Sequence, residues 1–127
     1  MNKVFVYGTL KSGNELRGLN QFGDGAVIVG KAKTLYPDYE MSDLGAFPGV
    51  FLNGRFHIEG EVWEVDEETM ETLDAIEGYP DFYSRQLTHT TEGKAWMYFL
   101  NRENYKDYVG VRGDQVKEKG DTLVWQR

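Results

Sequence analysis

Lys3-Val4-Phe5-Val6-Tyr7-Gly8-Thr9-Leu10-Lys11 is the stretch that decides how the rest of the chain is read. Val4 through Tyr7 are β-branched or aromatic at both alternations, which predicts a strand covered on both faces, or wound into a barrel with something packed outside it. The run stops at Gly8-Thr9-Leu10, with Gly13 and Gly18 close behind. A strand ending in glycine, a small hydroxyl residue and a loop can present backbone N–H groups with no side chain in the way. That suits a carboxylate, or an oxygen that becomes negative during reaction. The competing reading is that Gly8 only turns the chain.

Outward from this strand the sequence is rich in further strands. Residues 26–36 are apolar at first and alternate later, which predicts a half-solvated strand. Pro48 belongs at an edge or in a loop because it has no N–H to donate. Asn53-Gly54 predicts a hairpin joining a strand that ends near Leu52 to one that opens at Arg55. In residues 56–65 the apolar parity changes between Val62 and Trp63, so a bulge or bend is expected near Gly60. His57, Glu59, Glu61 and Glu64 read as a solvated strand face rather than a metal site, His89 being the only other imidazole. Residues 95–100 form the next most hydrophobic strand and should pair near Val4 to Tyr7. Residues 122–125 could add a final strand.

One helix is plain, over residues 66–78. Asp66 can cap it, Glu67 and Glu68 place negative charge in its first turn, and Gly78 can end it in left-handed geometry. Its apolar positions are Met70, Leu73 and Ile76. Glu77 follows Met70 by seven and Leu73 by four, so it stands on the packed side, away from Glu67, Glu71 and Asp74. It also stands near the negative end of the helix dipole. Both circumstances raise a carboxyl pKa toward neutrality and suit a proton-transfer group. A helix-ending glutamate can equally be a structural acceptor. After the helix, Tyr79, Phe82 and Tyr83 can line an apolar pocket wall or cover the open end of the core.

The 127 residues and 40% hydrophobic content fit a single domain spanning residues 1–127, with one site expected. A formal charge of −7 disfavours a nonspecific nucleic-acid binder. Without cysteine, neither disulfides nor thiolate chemistry are available. No apolar run approaches the ~20 residues that span a bilayer, and no leader pattern opens the chain, so a cytoplasmic protein without a membrane partner is expected.

Tyr7-Gly8-Thr9-Leu10 after a Val-Phe-Val strand, Gly60-Glu61-Val62 before a helix, then Leu73-Asp74-x-x-Glu77-Gly78 and Tyr83-x-Arg85, together resemble the gamma-glutamylcyclotransferase-like superfamily. Within it, the threonine and small size are similar to the gamma-glutamylamine cyclotransferase and avirulence-induced (AIG2-like) branch. The resemblance runs from Val4 to about Leu100. It implies an α+β fold, a bent mixed β-barrel with short peripheral helices. It also implies cleavage of a gamma-glutamyl amide to 5-oxoproline and free amine, with no cofactor and no metal. Carried over by position, the catalytic residue is Glu77, the substrate-binding residues are Tyr7, Gly8, Thr9 and Leu10, and Tyr83 stands at the pocket edge. Two other classes compete: a noncatalytic module binding a carboxylate or amino-acid conjugate, and an interaction protein using Tyr79, Phe82, Tyr83 and Trp125 as an adhesive surface.

Overall fold

In the computed structural model, which describes residues 1–8, 10–11 and 18–126, the apolar N-terminal run forms β1 (Asn2–Val6). On one side it pairs antiparallel with β5 (His57–Val65), Val4 opposite Trp63. On the other it pairs parallel with β7 (Gly93–Leu100), Val4 opposite Trp96, as the hydrophobicity of both runs predicts. β6 (Tyr83–Thr90) flanks β7, and β2 (Ala26–Lys33) lies along the free side of β5. Thr34, just past β2, bridges Thr90 of β6, so the bent mixed sheet curls back on itself and closes at that point. β8 (Val116–Lys119) and β9 (Thr122–Trp125) extend the sheet from the start of β5. β3 (Tyr39–Asp43) and β4 (Pro48–Leu52) form a separate antiparallel pair. No helix among the described residues is long and apolar enough to cross a membrane.

Both faces of β1 are buried. Val4 and Val6 pack with Trp63, Val65, Leu73 and Leu100, while Phe5 and Tyr7 pack with Ile58, Val62, Met97 and Trp125. Each large apolar side chain removed from water contributes roughly 1.5–3 kcal/mol, so a strand with no polar face is held from two sides at once. The longest helix among the described residues, α1 (Glu67–Glu77), lies on the first of these cores through Met70 and Leu73. Asp66 accepts the Thr69 N–H at 2.8 Å, and Gly78 takes the left-handed conformation (φ 65°) that ends the helix.

Four expectations are corrected. The parity change in β5 needs no bulge at Gly60: Gly60 to Trp63 are buried on both faces, and the register shift lies in the partner, between Ile28 and Gly30. Gly60 is there for clearance, because a Cβ would run into the Val6 carbonyl oxygen. Asn53-Gly54 turns the chain, with Asn53 at φ 64°, but builds no β4–β5 hairpin. Gly54 donates to the Asp38 carbonyl at 2.8 Å and lies on the Tyr39 backbone, so β4 and Phe56 both pair with β3 or its first residue. Glu61 is not on a solvated face; it is buried and accepts the Trp63 indole N–H at 3.1 Å. Ile76 is 56% exposed rather than packed. At about 100° per residue Glu77 falls about 20° from Met70, whereas Ile76 falls about 120° away.

Among the described residues no cluster of histidine and acidic side chains is placed to hold a metal ion. His57 instead sets Nδ1 2.8 Å from the Thr34 carbonyl, a strand-to-strand contact. Gly60→Ala should destabilise the protein by roughly 1–3 kcal/mol, since the new methyl meets the Val6 carbonyl first and the Phe5 ring beside it, and backbone paired in a sheet cannot swing aside as a flexible side chain can. Urea unfolding measures this; an unchanged midpoint would show that β1 and β5 are not pressed together there.

Candidate active site

β1 ends where the two cores meet, and the chain leaves it through Tyr7 and Gly8. Gly8 is not a left-handed glycine; it is a clearance glycine. A Cβ there would stand 2.8 and 2.9 Å from Cγ and Cδ of Pro48, at the start of β4. The turn is then tied down by its carbonyls: Lys11 N–H donates to Gly8 O at 3.1 Å, and Leu19 N–H to Leu10 O at 3.0 Å. Lys11 Nζ reaches across to the Trp125 carbonyl at 2.6 Å, which fastens the turn to β9. Among the described residues, no loop bond consumes the N–H of Gly8 or of Leu10. Thr9, expected to bind substrate, lies outside the described residues, as does the segment 12–17.

Beside this turn is a cavity of about 470 Å³. Its floor is Phe5, Val6, Tyr7 and Tyr98, all buried; Gly8, Leu10 and Pro48 form one wall, and Glu77 and Tyr83 another. Ile76 and Phe82, both exposed, stand at its mouth with Phe47 and Gln21. Tyr7, Gly8, Leu10, Glu77 and Tyr83, separate in sequence, thus line one space. The exposure of Ile76 follows from its place at that mouth. Tyr79 departs from the expected wall: its ring stacks on the Arg85 guanidinium, 4.5 Å away.

Glu77, half-buried at the C-terminal end of α1, has its carboxyl pKa pushed up to about 7 by burial. Among the described residues no hydrogen bond reaches its carboxylate to offset the lost water. Three tyrosines surround it electrostatically, and burial pushes each phenol above its ordinary value, with the negative charge of Glu77 adding to the effect. All three hydroxyl protons are committed elsewhere. Tyr7 donates to the Tyr98 carbonyl at 2.9 Å, Tyr83 to the Pro48 carbonyl at 2.9 Å, and Tyr98 to Asp74 Oδ1 at 2.7 Å.

Asp74 and Arg85, which stand in the signature runs without a role assigned from sequence, lie behind the cavity lining and reach it through Tyr98. Asp74 was expected on the outer side of α1, yet it is half-buried and takes a two-pronged ion pair from Arg85 (2.9 and 3.2 Å). The helix arithmetic holds the signal: Asp74 follows Met70 by four, about 40° round the helix. Arg85 stands opposite Tyr98 in the β6–β7 register, which brings both to the same carboxylate. Tyr98 carries no sequence mark; it is one of several aromatics in an apolar strand.

The family described as gamma-glutamyl cyclotransferase, AIG2-like, matches residues 4–122. A Vibrio cholerae protein with a provisional gamma-glutamylcyclotransferase assignment is 40% identical over 95 residues, 75% of this chain and 78% of that one. The gamma-glutamylcyclotransferase family protein YtfP of Escherichia coli K12 is 32% identical over 121 residues, 95% of this chain and 96% of its own. The crystal structure of an AIG2-like protein from Mus musculus superposes with a TM-score of 0.63 at 28% identity, covering 78% of this chain and 76% of that one. The match runs from the first buried strand to the beginning of the last, through every described element that builds the cavity, and the chain belongs to the gamma-glutamyl cyclotransferase, AIG2-like family.

Proposed function

We propose that the cavity binds a gamma-glutamyl amide and closes its glutamyl part to 5-oxoproline, releasing the amine, with Glu77 as the proton shuttle. The observation that carries this reading is the Glu77 carboxyl, raised to about 7, in one cavity with the Gly8–Leu10 turn of a cyclotransferase-family chain. Such a substrate contains its own nucleophile. The α-nitrogen attacks the γ-carbonyl carbon, the new C–N bond closes a five-membered ring, and the original amide C–N bond breaks, so the protein mainly folds the substrate and moves protons.

Two protons pass from the α-nitrogen to the departing nitrogen in all. Ionised Glu77 takes the first from the α-ammonium and frees the lone pair for attack. It then gives that proton to the leaving nitrogen as the tetrahedral intermediate collapses. The second follows the same route from the ring nitrogen. A carboxyl near 7 exchanges protons in both directions at neutral pH. The N–H groups of Gly8 and Leu10, which no described loop bond takes up, are the donors this reading assigns to the α-carboxylate or the developing oxyanion, a contact worth about 3 kcal/mol when well aimed. A noncatalytic module would instead satisfy Glu77 with protein hydrogen bonds, and the described residues supply none.

Glu77→Gln should therefore lower turnover by roughly 10²-fold or more while the fold remains, and Glu71→Gln on the solvent side should not. The readout is 5-oxoproline formed from a panel of gamma-glutamyl amides, with circular dichroism as the folding control. In the wild type, kcat/KM should rise with pH through about 7 as Glu77 ionises, and this limb should be missing from any residual Glu77→Gln activity. Wild-type turnover by folded Glu77→Gln would remove Glu77 from the mechanism.

The same burial has a cost in stability. Because the folded carboxyl is raised above its unfolded value of 4.5, its favourable contribution is complete below that pH and is lost as pH rises to about 7. Glu77→Gln should thus gain on the wild type across this window, by up to about 3 kcal/mol on the alkaline side. Denaturant unfolding at pH 5 and pH 8.5 gives the difference; an equal gap at both would show that Glu77 does not bury its charge.

Gly8→Val tests the turn. Its side chain must displace Pro48, whose carbonyl holds the Tyr83 hydroxyl, so turnover should fall further than folding stability. Near-normal kcat/KM in a folded Gly8→Val protein would put the ligand elsewhere.

A further inference from the structure

Tyr98 combines two properties. It lines the cavity beside Glu77, and its only proton is given to Asp74 Oδ1 at 2.7 Å, one helical turn from Glu77 on the same helix. The same oxygen accepts Arg85 Nε at 2.9 Å, and Oδ2 accepts Nη2 at 3.2 Å. The guanidinium is itself held between the rings of Tyr79 and Trp96, at 4.5 and 4.3 Å from their centroids. Asp74 is therefore fixed, and its charge is compensated from behind.

A phenol has one proton to give and lone pairs to receive with. Once the proton is committed to a carboxylate, what remains for a ligand is an acceptor, and the charge-assisted bond makes that oxygen more electron-rich. Tyr83 is committed in the same way to the Pro48 carbonyl, so the oxygens of Tyr98 and Tyr83 meet a ligand beside Glu77 as acceptors. Acceptors grouped about a carboxyl match a primary ammonium, which offers three N–H donors and one positive charge. They do not match a second carboxylate.

We propose that Tyr98, polarised by the Asp74–Arg85 pair, is the acceptor that receives the α-ammonium of the glutamyl group and holds it against Glu77. This rests on the gamma-glutamyl reading above and adds to it the group that discriminates an α-amino substrate from its des-amino counterpart. Tyr98 touches the substrate without moving its proton; Asp74 and Arg85 are positioning residues acting through Tyr98.

The test compares two ligands differing only in that amine: L-glutamate γ-n-butylamide and the mono-n-butylamide of glutaric acid. Dissociation constants are measured by calorimetry in the Glu77→Gln background, where the amide is not consumed, with Tyr98 and Asp74 intact, with Tyr98→Phe and with Asp74→Asn, each checked for folding by circular dichroism. With Tyr98 and Asp74 intact the α-amino compound should be preferred by about 10-fold or more, the scale of a hydrogen bond to a charged group. Tyr98→Phe should erase most of this preference while leaving the affinity for the des-amino compound unchanged. Asp74→Asn, which keeps an acceptor for the phenol but removes the charge, should reduce the preference partway, and it carries the test alone if Tyr98→Phe does not fold. Variants that retain the full preference, or weaken both ligands equally, overturn the proposal by making Tyr98 a structural buttress. If that happens while the wild type forms 5-oxoproline in a Glu77-dependent way, the cyclotransferase reading stands without it. If neither compound binds and the wild type forms no 5-oxoproline from any gamma-glutamyl amide, that reading falls and takes the proposal with it.

Discussion

The burial of β1 on both faces is the constraint from which the rest follows. A strand enclosed by two cores can carry no side chain that needs water, so Val4, Phe5, Val6 and Tyr7 are all apolar or aromatic. Its neighbours must come close enough to exclude water as well. Gly60 on one side, against the Val6 carbonyl, and Gly8 at the strand's end, against Pro48, are two places where a side chain would hold the elements apart. Where the strand finally stops, the cores on its two faces leave a seam, and the cavity is that seam.

Polar groups placed at such a seam are costly unless they are paired, and the pairing pattern shapes the chemistry. Tyr7, Tyr83 and Tyr98 each satisfy their hydroxyl with a protein acceptor, and Asp74 satisfies its charge with Arg85. Glu77 is left as the carboxyl that burial has destabilised without compensation from the described residues. The order matters. Because the partners around it are fully engaged with the fold, Glu77 can change protonation state without unravelling a network. Its raised pKa is thus a property of the enclosure rather than of a neighbouring charge.

Several elements hold this arrangement in register from a distance. The αL turn at Gly78 stops α1 directly after Glu77, and Phe82 N–H returns to the Gly78 carbonyl at 2.7 Å, bringing Tyr83 back to the cavity. Arg85 stands two residues further along β6 and locks the helix to β7 through Asp74. Lys11 does the equivalent on the other wall, binding the turn to β9. The cavity is accordingly framed by ties to β6, β7 and β9, although the ends of β1 and α1 bring Gly8 and Glu77 into its lining.

Elements whose physics is local are legible in the residues of the chain. Alternation-free apolar residues made β1 two-faced, Asp66 and Gly78 bounded the helix, and seven-residue spacing put Glu77 beside Met70. The sequence also carried the family resemblance, because the signature residues are clustered in four short runs. Tertiary structure alone decided what depends on approach between distant segments. Pairing of β3 with β4 instead of β4 with β5 depended on Gly54 lying on the Tyr39 backbone, not on the turn chemistry of Asn53-Gly54. The reason for Gly8 was a proline forty residues away, and the commitment of the Tyr98 hydroxyl proton depended on an aspartate from a helix that an arginine of the neighbouring strand holds. No period or spacing encodes such meetings; they exist only once two buried faces of one strand have drawn the remaining elements around its end.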